Sequence, residues 1–143
     1  MKTGPLLTVE GAIECTIVRR LNRFAVEVQL GHQRYRASTN NTGRLLDFIN
    51  PGRRAYCRTH SRPSRTDFNL FAVEDPPEGA LIDTQLQMRA FERAICLECI
   101  PWLSEYRLVR RNAALDGSVF DYLLEGGGGE VLLEVKSAVL RDG

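Results

Sequence analysis

Two carboxylates and a lysine in the last quarter of the chain have the types and the spacing of a site that handles phosphate esters. Asp121 lies early in an apolar, strand-like segment, and Glu134 and Lys136 lie two residues apart in the next such segment. Because side chains alternate along a strand, Glu134 and Lys136 share one face, and a hairpin would bring Asp121 beside them. Paired carboxylates supply the hard oxygen ligands that suit Mg²⁺ or Mn²⁺. Such a metal polarises a phosphodiester and lowers the pKa of a bound water.

Lys136 adds a cation that can orient this water or stabilise charge in the transition state. An Asp followed in the next strand by Glu-x-Lys is the arrangement of the PD-(D/E)xK nucleases. The alternative is a structural pair, because Glu-x-Lys also occurs on solvated strand faces and because alternation places Leu132 on the face of Glu134. We assign catalysis to Asp121, Glu134 and Lys136, and metal binding to Asp121 and Glu134.

The elements around these residues read as one helix followed by strands. Asp83 or Thr84 caps a helix predicted within Leu81–Leu97, and Pro101 stops it. The four glycines at 126–129 predict a hairpin connection rather than a phosphate-binding loop, since neither Lys-Ser/Thr nor a helix follows them. The predicted strands are Tyr106–Asn112, Val119–Glu125 and Val131–Leu140.

The first half of the chain reads as consecutive short strands separated by turn signals. The predicted strands are Ile13–Val18, Phe24–Leu30, Gln33–Ser38, Arg54–Arg58 and Asp67–Val73. Five such strands fit a small closed barrel such as an OB-fold, which commonly binds single strands through a basic groove and stacking aromatic residues. Tyr35, Tyr56 and Phe68 are candidates to stack, and the barrel core is the alternative place for each of them.

The charge of the chain is distributed unevenly. Residues 17–66 contain eleven Arg, no Lys and two acidic residues, a net charge of +9, whereas residues 67–143 carry a net charge of −7. This polarity suggests a polyanion as the partner of the first half. The planar fork of Arg suits phosphate, which favours nucleic acid. The alternative is an Arg-rich surface that is only solvated.

Composition is that of an ordinary soluble protein, with 43% hydrophobic and 26% charged residues. The apolar runs are far shorter than the ~20 residues needed to cross a bilayer, and no leader-like apolar segment is visible at the start. We therefore expect a cytoplasmic protein with no membrane partner.

The four cysteines carry two open interpretations. Cys96 and Cys99 form a single C-x-x-C, and a zinc site would need two further ligands, for which Cys57 and His60 are available. The alternative is that all four are plain thiols, since an intracellular chain of this size needs no disulfides.

Several segments occur together in a fixed order from about Val18 to Ser137. They are Arg20-Leu21-Asn22-Arg23-Phe24, Thr39-Asn40-Asn41-Thr42-Gly43-Arg44-Leu45, Pro51-Gly52-Arg53-Arg54, Val109-Arg110-Arg111, Phe120-Asp121-Tyr122-Leu123-Leu124-Glu125 and Val131-Leu132-Leu133-Glu134-Val135-Lys136-Ser137. This set resembles the sugar fermentation stimulation protein A family. The resemblance covers most of the chain.

The resemblance implies an OB-like N-terminal domain, a nuclease-like C-terminal domain, DNA binding without strong sequence preference, and a role in regulating sugar metabolism. Asp121, Glu134 and Lys136 match the acidic and lysine positions of the family's nuclease motif. Together with the charge pattern, the matching front segments lead us to expect nucleic-acid contacts from Arg20, Arg23, Asn41, Thr42, Arg44, Arg53 and Arg54.

The expected fold is mixed α+β: an OB-like five-stranded barrel in residues 1–76, followed in residues 80–143 by a partial restriction-endonuclease-like α/β core. Asp75–Gly79 is the expected linker. The family continues beyond the Glu-Val-Lys strand, so we expect the chain to bind nucleic acid but to cleave it poorly. An open edge along Val131–Leu140 further predicts self-association, as a homodimer.

The leading hypothesis is a DNA-binding protein with a Mg²⁺-dependent phosphodiester-hydrolysing site. The alternative is a non-catalytic DNA-binding regulator of sugar metabolism that retains the nuclease fold. A third hypothesis is a protein-interaction module that binds no nucleic acid.

Overall fold

The computed structural model describes residues 4–139. They form two compact units, one made of residues 9–87 and 138–139, the other of residues 4–8 and 88–137. The elements in chain order are β1 (Ile13–Arg20), β2 (Ala25–Leu30), β3 (Gln33–Ser38), β4 (Arg54–Thr59), β5 (Phe68–Asp75), β6 (Glu78–Leu81), α1 (Thr84–Cys96), a 3-10 helix (Pro101–Leu103), β7 (Tyr106–Leu115), β8 (Ser118–Gly126) and β9 (Gly129–Leu133).

The first unit is a closed barrel of five strands. Its sheet has six strands in the order β3-β2-β1-β4-β5-β6. A parallel pairing of β3 with β5, in which Ala37 lies opposite Phe68, closes strands β1 to β5 into the ring, and β6 extends the sheet beyond it. The remaining pairings are antiparallel. The predicted OB-like five-stranded barrel is therefore confirmed, and closure leaves few unpaired strand edges.

Alternation along the strands builds the barrel core. In β1, Cys15 and Ile17 point inward between the exposed Glu14 and Thr16. The other inward side chains belong to the same cluster, whose buried members include Val26, Val28, Ala37, Phe48, Ile49, Ala55, Leu70, Val73 and Ile82. Burial of these apolar groups is the main stabilising contribution to the barrel.

The segment Asp75–Gly79 is a hairpin turn and not the linker that the sequence predicted. Asp75 pairs with Glu78, so β6 returns directly along β5 and extends the barrel sheet. Two prolines in a row suit a tight turn as well as a linker, because proline fixes φ and donates no hydrogen bond. The boundary between the two compact units lies instead between Gln87 and Met88.

Helix α1 starts at Thr84 and is capped by Asp83, as predicted. The Asp83 Oδ1 atom accepts the backbone N–H of Leu86 at 2.9 Å. The helix ends at Cys96, within the predicted bounds Leu81–Leu97, but a local cap ends it before the chain reaches Pro101. Glu98 adopts a positive φ of 55°, and the next N–H bonds back to the carbonyl of Ala94, which is a local C-terminal cap.

The second unit has an antiparallel sheet of order β7-β8-β9. Asp116 and Gly117, both with positive φ, form the tight turn between β7 and β8. The predicted hairpin across glycines 126–129 joins β8 to β9, with Gly126 opposite Gly129. One face of this sheet packs with α1 residues through a cluster of Ile95, Leu103, Tyr122 and Leu124, which confirms the helix-then-strands core.

Strand β9 is shorter than the predicted strand Val131–Leu140. It ends at Leu133, residues 134–139 have no regular secondary structure, and Leu140 lies outside the described residues. Glu134 and Lys136 therefore follow a strand rather than lie within one. Within the described residues β9 is an edge of its sheet, and self-association through this edge stays a prediction. No helix among residues 4–139 is long and apolar enough to cross a membrane.

Candidate functional site

The pairing of β8 with β9 positions Asp121 and Glu134. The pairing ends with Tyr122 opposite Leu133, so Asp121 and Glu134 are the next residue of each segment beyond the last pair. Asp121 faces away from the buried Tyr122, because side chains alternate along a strand. After the last backbone pair, the Asp121 side chain links the two segments, because its Oδ2 atom accepts the backbone N–H of Val135 at 2.7 Å.

Lys136 belongs to the same group of side chains. Its Nζ atom lies 2.9 Å from Oε1 of Glu134. The pKa of Lys136 is raised, first by this hydrogen bond and the charge of Glu134, and further by the charge of Asp121. The structure therefore brings Asp121, Glu134 and Lys136 together, as the sequence predicted. Their chemical roles stay predictions.

The donor set suits a hard divalent cation. The Glu134 side chain is 54% exposed, and Oδ1 of Asp121 makes no hydrogen bond to the described residues. Among residues 4–139 no group of three or more His, Cys, Asp or Glu is placed to hold a metal ion. A cation at Asp121 and Glu134 would therefore complete its shell with water or with phosphate oxygens, as Mg²⁺ commonly does.

A second polar group fixes the strand that carries Asp121. Glu92 of α1 accepts both Nε and Nη2 of Arg111 at 2.6 Å, and the hydroxyl of Tyr122 donates to Glu92 at 2.7 Å. The ring of Tyr122 is buried and lies 5.6 Å from the ring of Phe91. Tyr122 adjoins Asp121 in β8, so anchoring Tyr122 to α1 also positions Asp121, which faces the other way.

These contacts change the ionisation of the group. The Arg111 guanidinium holds the pKa of Glu92 below its usual range, and the Tyr122 hydroxyl adds to this effect. Burial, followed by the Glu92 carboxylate, raises the pKa of Tyr122. The sequence reasoning missed this group. Arg111 belongs to the segment Val109-Arg110-Arg111 of the family resemblance, but no local sequence pattern links it to Glu92.

In the barrel, Arg20 organises two loops. Its five N–H donors meet five backbone carbonyls: Nε bonds to Asn22, Nη1 to Gly43 and Arg44, and Nη2 to Arg23 and Asn41. Burial lowers the pKa of Arg20. The side chain thus joins the β1–β2 turn to the loop around residues 41–44, and it has no donor left for a phosphate in this arrangement.

Asn41 is also occupied by the fold. It is buried, its Nδ2 donates to the carbonyl of Ile82 at 3.0 Å, and its Oδ1 accepts the N–H of Gly43 at 3.1 Å. Its neighbour Thr42 is exposed. Of the predicted front motif, Asn41 therefore shapes the loop, and Thr42 and Arg44 are the side chains that it displays.

The other predicted arginines differ in how free they are. Arg53 donates to the carbonyl of Asp47 at 2.6 Å, and Arg54 pairs with Glu14 at 3.0 Å and with Glu74 at 3.7 Å. Several exposed guanidinium groups of residues 17–66 make neither a hydrogen bond nor an ion pair within the described part of the chain. They are Arg23, Arg36, Arg44, Arg62 and Arg65. These five carry positive charge that no hydrogen bond or ion pair to the described residues engages.

The aromatic residues differ from the expectation. Tyr35 and Phe68 pack edge to face, with centroids 5.3 Å apart, against the barrel core, so the core alternative is confirmed for both, and Tyr56 is half-buried. The exposed aromatic residue of the barrel is Phe24, with 57% of its surface accessible and the guanidinium of Arg23 at 5.7 Å from its ring centroid. The adjacent Arg-Phe pair at a turn was the available signal.

All four cysteines are free thiols. Cys15 and Cys57 are buried in the barrel core with their sulfur atoms 3.4 Å apart, whereas Cys96 is exposed and Cys99 is half-buried. Cys57 therefore faces Cys15 in the core.

Comparison with known families adds an independent observation. Residues 18–82 match the family model described as the SfsA N-terminal OB domain, and residues 85–143 match the model described as the sugar fermentation stimulation protein RE domain. The chain belongs to the SfsA family.

The SfsA relatives are considerably longer than this chain. The sugar fermentation stimulation protein homologues of Pyrococcus furiosus and Archaeoglobus fulgidus are 42% and 45% identical to it over 138 residues. These alignments cover 96% of this chain but 60% and 59% of the relatives. The chain thus spans about three fifths of the relatives that it matches.

A solved structure of SfsA from Pyrococcus furiosus in complex with Ca²⁺ has the same fold. It matches this chain with a TM-score of 0.86 and 40% sequence identity, over 99% of this chain and 61% of that one. The SfsA resemblance and the mixed α+β fold class predicted from the sequence are both confirmed.

Proposed function

We propose that this chain binds nucleic acid, DNA in the first instance, through the arginine-rich barrel, and that Asp121 and Glu134 hold a divalent cation for phosphodiester hydrolysis. The observation that carries the hydrolytic part is that Asp121 and Glu134 lie directly beyond the last pair of the β8–β9 hairpin and that Lys136 bonds to Glu134. A two-carboxylate and lysine group of this kind suits metal-assisted attack on a phosphodiester.

Charge supports the binding part of the proposal. Residues 17–66 have a net charge of +9, and five exposed guanidinium groups there make no hydrogen bond or ion pair to the described residues. Contacts from such groups to phosphates release condensed counterions, which gives affinity without sequence preference. The OB barrel is a common carrier of such contacts.

Two observations support a bound cation. The Glu134 side chain is exposed and Oδ1 of Asp121 makes no hydrogen bond to the described residues, and the similar Pyrococcus furiosus protein was solved in complex with Ca²⁺. Ca²⁺ and Mg²⁺ both take carboxylate oxygens. When bound, the cation would polarise the phosphodiester and lower the pKa of a water. Asp121 is held for this by Val135, and Lys136 stabilises the charge that develops on the phosphate oxygens.

A second candidate function is a non-catalytic DNA-binding regulator of sugar metabolism. The ion pair between Lys136 and Glu134 favours it, because a lysine engaged by its neighbouring carboxylate has to leave that partner before it can act on a substrate.

One experiment separates these functions. The chain is incubated with single- and double-stranded DNA and RNA, in Mg²⁺, Mn²⁺, Ca²⁺ or chelator, and both retention and loss of intact strands are measured. We expect salt-dependent retention of nucleic acid, and loss of intact strands with Mg²⁺ or Mn²⁺ only. Lys136→Ala should abolish cleavage and keep cation binding, while Glu130→Gln on β9 serves as the matched control.

Retention without cleavage under every cation would support the regulator. Absence of salt-dependent retention would contradict both functions and favour a protein-interaction module.

A further inference from the structure

We propose that Phe24 is a base-stacking platform that selects single-stranded nucleic acid, with Arg23 and Arg44 as the cationic groups beside it. This inference rests on the proposed function of the barrel and deepens it, because it names the form of nucleic acid and the residue that recognises it.

The ring of Phe24 is exposed while its backbone is held. Its carbonyl accepts the N–H of Thr39 at 2.9 Å, and its N–H donates to Oδ1 of Asn22 at 2.8 Å. Yet 57% of the residue is accessible, so the ring forgoes the stabilisation that burial would bring. A fixed backbone that presents an unburied aromatic ring at a turn is an arrangement suited to contact with another molecule.

Arg20 ties together the two segments that carry Phe24, Arg23 and Arg44. One guanidinium bonds at once to the carbonyls of Arg23 and Arg44, so the turn that carries Phe24 and the loop that carries Arg44 are tied to the same planar group. The side chains of Arg23 and Arg44 are exposed and free of ion pairs among the described residues. The platform is therefore formed before binding, which reduces the entropy lost when a strand is captured.

The chemistry of these groups fits an unpaired base. Every base has a π face that can stack on an aromatic ring, and a nearby arginine adds a cation–π contribution; here the Arg23 guanidinium already lies 5.7 Å from the ring centroid. Arg44 is available for the flanking phosphate. In a duplex each base face is already covered by its neighbours, so a single exposed ring recognises single strands.

The test uses the full chain and two probes of equal length, a fluorescent oligothymidine and a duplex, in parallel titrations. Phe24→Ala should weaken oligothymidine binding by roughly tenfold, with duplex binding and the slope of affinity against salt unchanged, because no phosphate contact is lost. Phe24→Trp should restore binding. Trp102→Ala, which removes another exposed aromatic residue at 71% accessibility, is the matched control and should have no effect.

The outcomes separate this inference from the proposed function. Equal losses for both probes, or no loss for oligothymidine while the wild-type chain still binds nucleic acid, would overturn the stacking platform alone. Failure of the wild-type chain to bind either probe would overturn the platform and the proposed function together. Circular dichroism of Phe24→Ala shows whether this variant is folded. Restored oligothymidine binding in Phe24→Trp would show that the aromatic ring at this position, and not a general effect on folding, is responsible for the affinity.

Discussion

Asp121 and Val135 are joined across the end of the β8–β9 hairpin by a hydrogen bond of 2.7 Å from the Val135 backbone N–H to Oδ2 of Asp121. This bond continues the strand pairing after β9 has ended at Leu133. The bond engages Oδ2, while Oδ1 of the same carboxylate makes no hydrogen bond to the described residues. Asp121 is therefore both a structural group and a candidate ligand, and the two roles can be separated by substitution.

Asp121→Asn is expected to keep the hydrogen bond to Val135, because the amide oxygen still accepts, and to lose most affinity for Mg²⁺ or Mn²⁺, because the charge is gone. Glu134→Gln should weaken the cation similarly, by roughly tenfold or more in each case, as expected for loss of a charged oxygen ligand. Calorimetry measures the affinity, with Glu130→Gln as control. Unchanged affinity in both variants would remove the cation site.

Asp121→Ala should in addition destabilise the chain, by about 1 kcal/mol, since the N–H of Val135 then loses its acceptor. Urea unfolding measures this loss. Equal stability of the Asn and Ala variants would show that the hydrogen bond contributes little.

Arg44→Ala is expected to weaken nucleic-acid binding and to reduce the log–log slope of affinity against salt by about 0.7 to 0.9 units, the effect of one lost phosphate contact. Arg54→Ala should change the slope less, because Arg54 is already neutralised by Glu14 and Glu74. Titrations at several salt concentrations provide the comparison. A larger effect at Arg54 than at Arg44 would contradict the assignment of accessible charge.

Arg20→Ala should destabilise the barrel by about 2 kcal/mol, because several backbone carbonyls in two loops lose a charged donor. Arg20→Lys should recover only part of this, since an ammonium group has three donors and cannot span the same carbonyls as a planar guanidinium. Thermal unfolding of the three proteins checks the order. Full rescue by lysine would show that charge, and not the fork of five donors, is what the loops require.

Glu92→Gln tests the polar group beneath the sheet. The pKa of Glu92 is lowered in the folded chain, so the carboxylate contributes stability at pH values above its unfolded pKa of about 4.3, and this contribution is lost as pH falls through the folded pKa. The variant should be less stable than wild type by about 1 kcal/mol at neutral pH. The loss is no larger because solvent screens the charge of the exposed Arg111 side chain.

The difference between the two proteins should shrink as the solution is acidified below pH of about 4. Denaturant unfolding at a series of pH values measures it. A difference that does not depend on pH would assign the effect to packing rather than to the charge of Glu92.

Local patterns in the sequence were sufficient for much of this fold. Alternation predicted the five barrel strands, Asp83 or Thr84 before an apolar helical stretch predicted the helix cap, and glycines 126–129 predicted the hairpin that joins the segments carrying Asp121 and Glu134. These features depend on neighbours within a few residues, so side-chain periodicity and turn chemistry carry them. The family resemblance added the prediction that an OB-like domain precedes a nuclease-like domain.

Tertiary structure alone decided which side chains remain available to a ligand. Arg20 and Arg44 have the same chemistry in the sequence, but Arg20 bonds to two carbonyls of the adjacent turn and to three carbonyls of a loop more than twenty residues away, whereas the Arg44 side chain makes no hydrogen bond or ion pair to the described residues. The closure of β3 on β5 brings Tyr35 against Phe68, while the turn before β2 leaves Phe24 exposed. Hydrogen-bond saturation and burial are set by which distant segments meet, and no periodicity within a single strand encodes that.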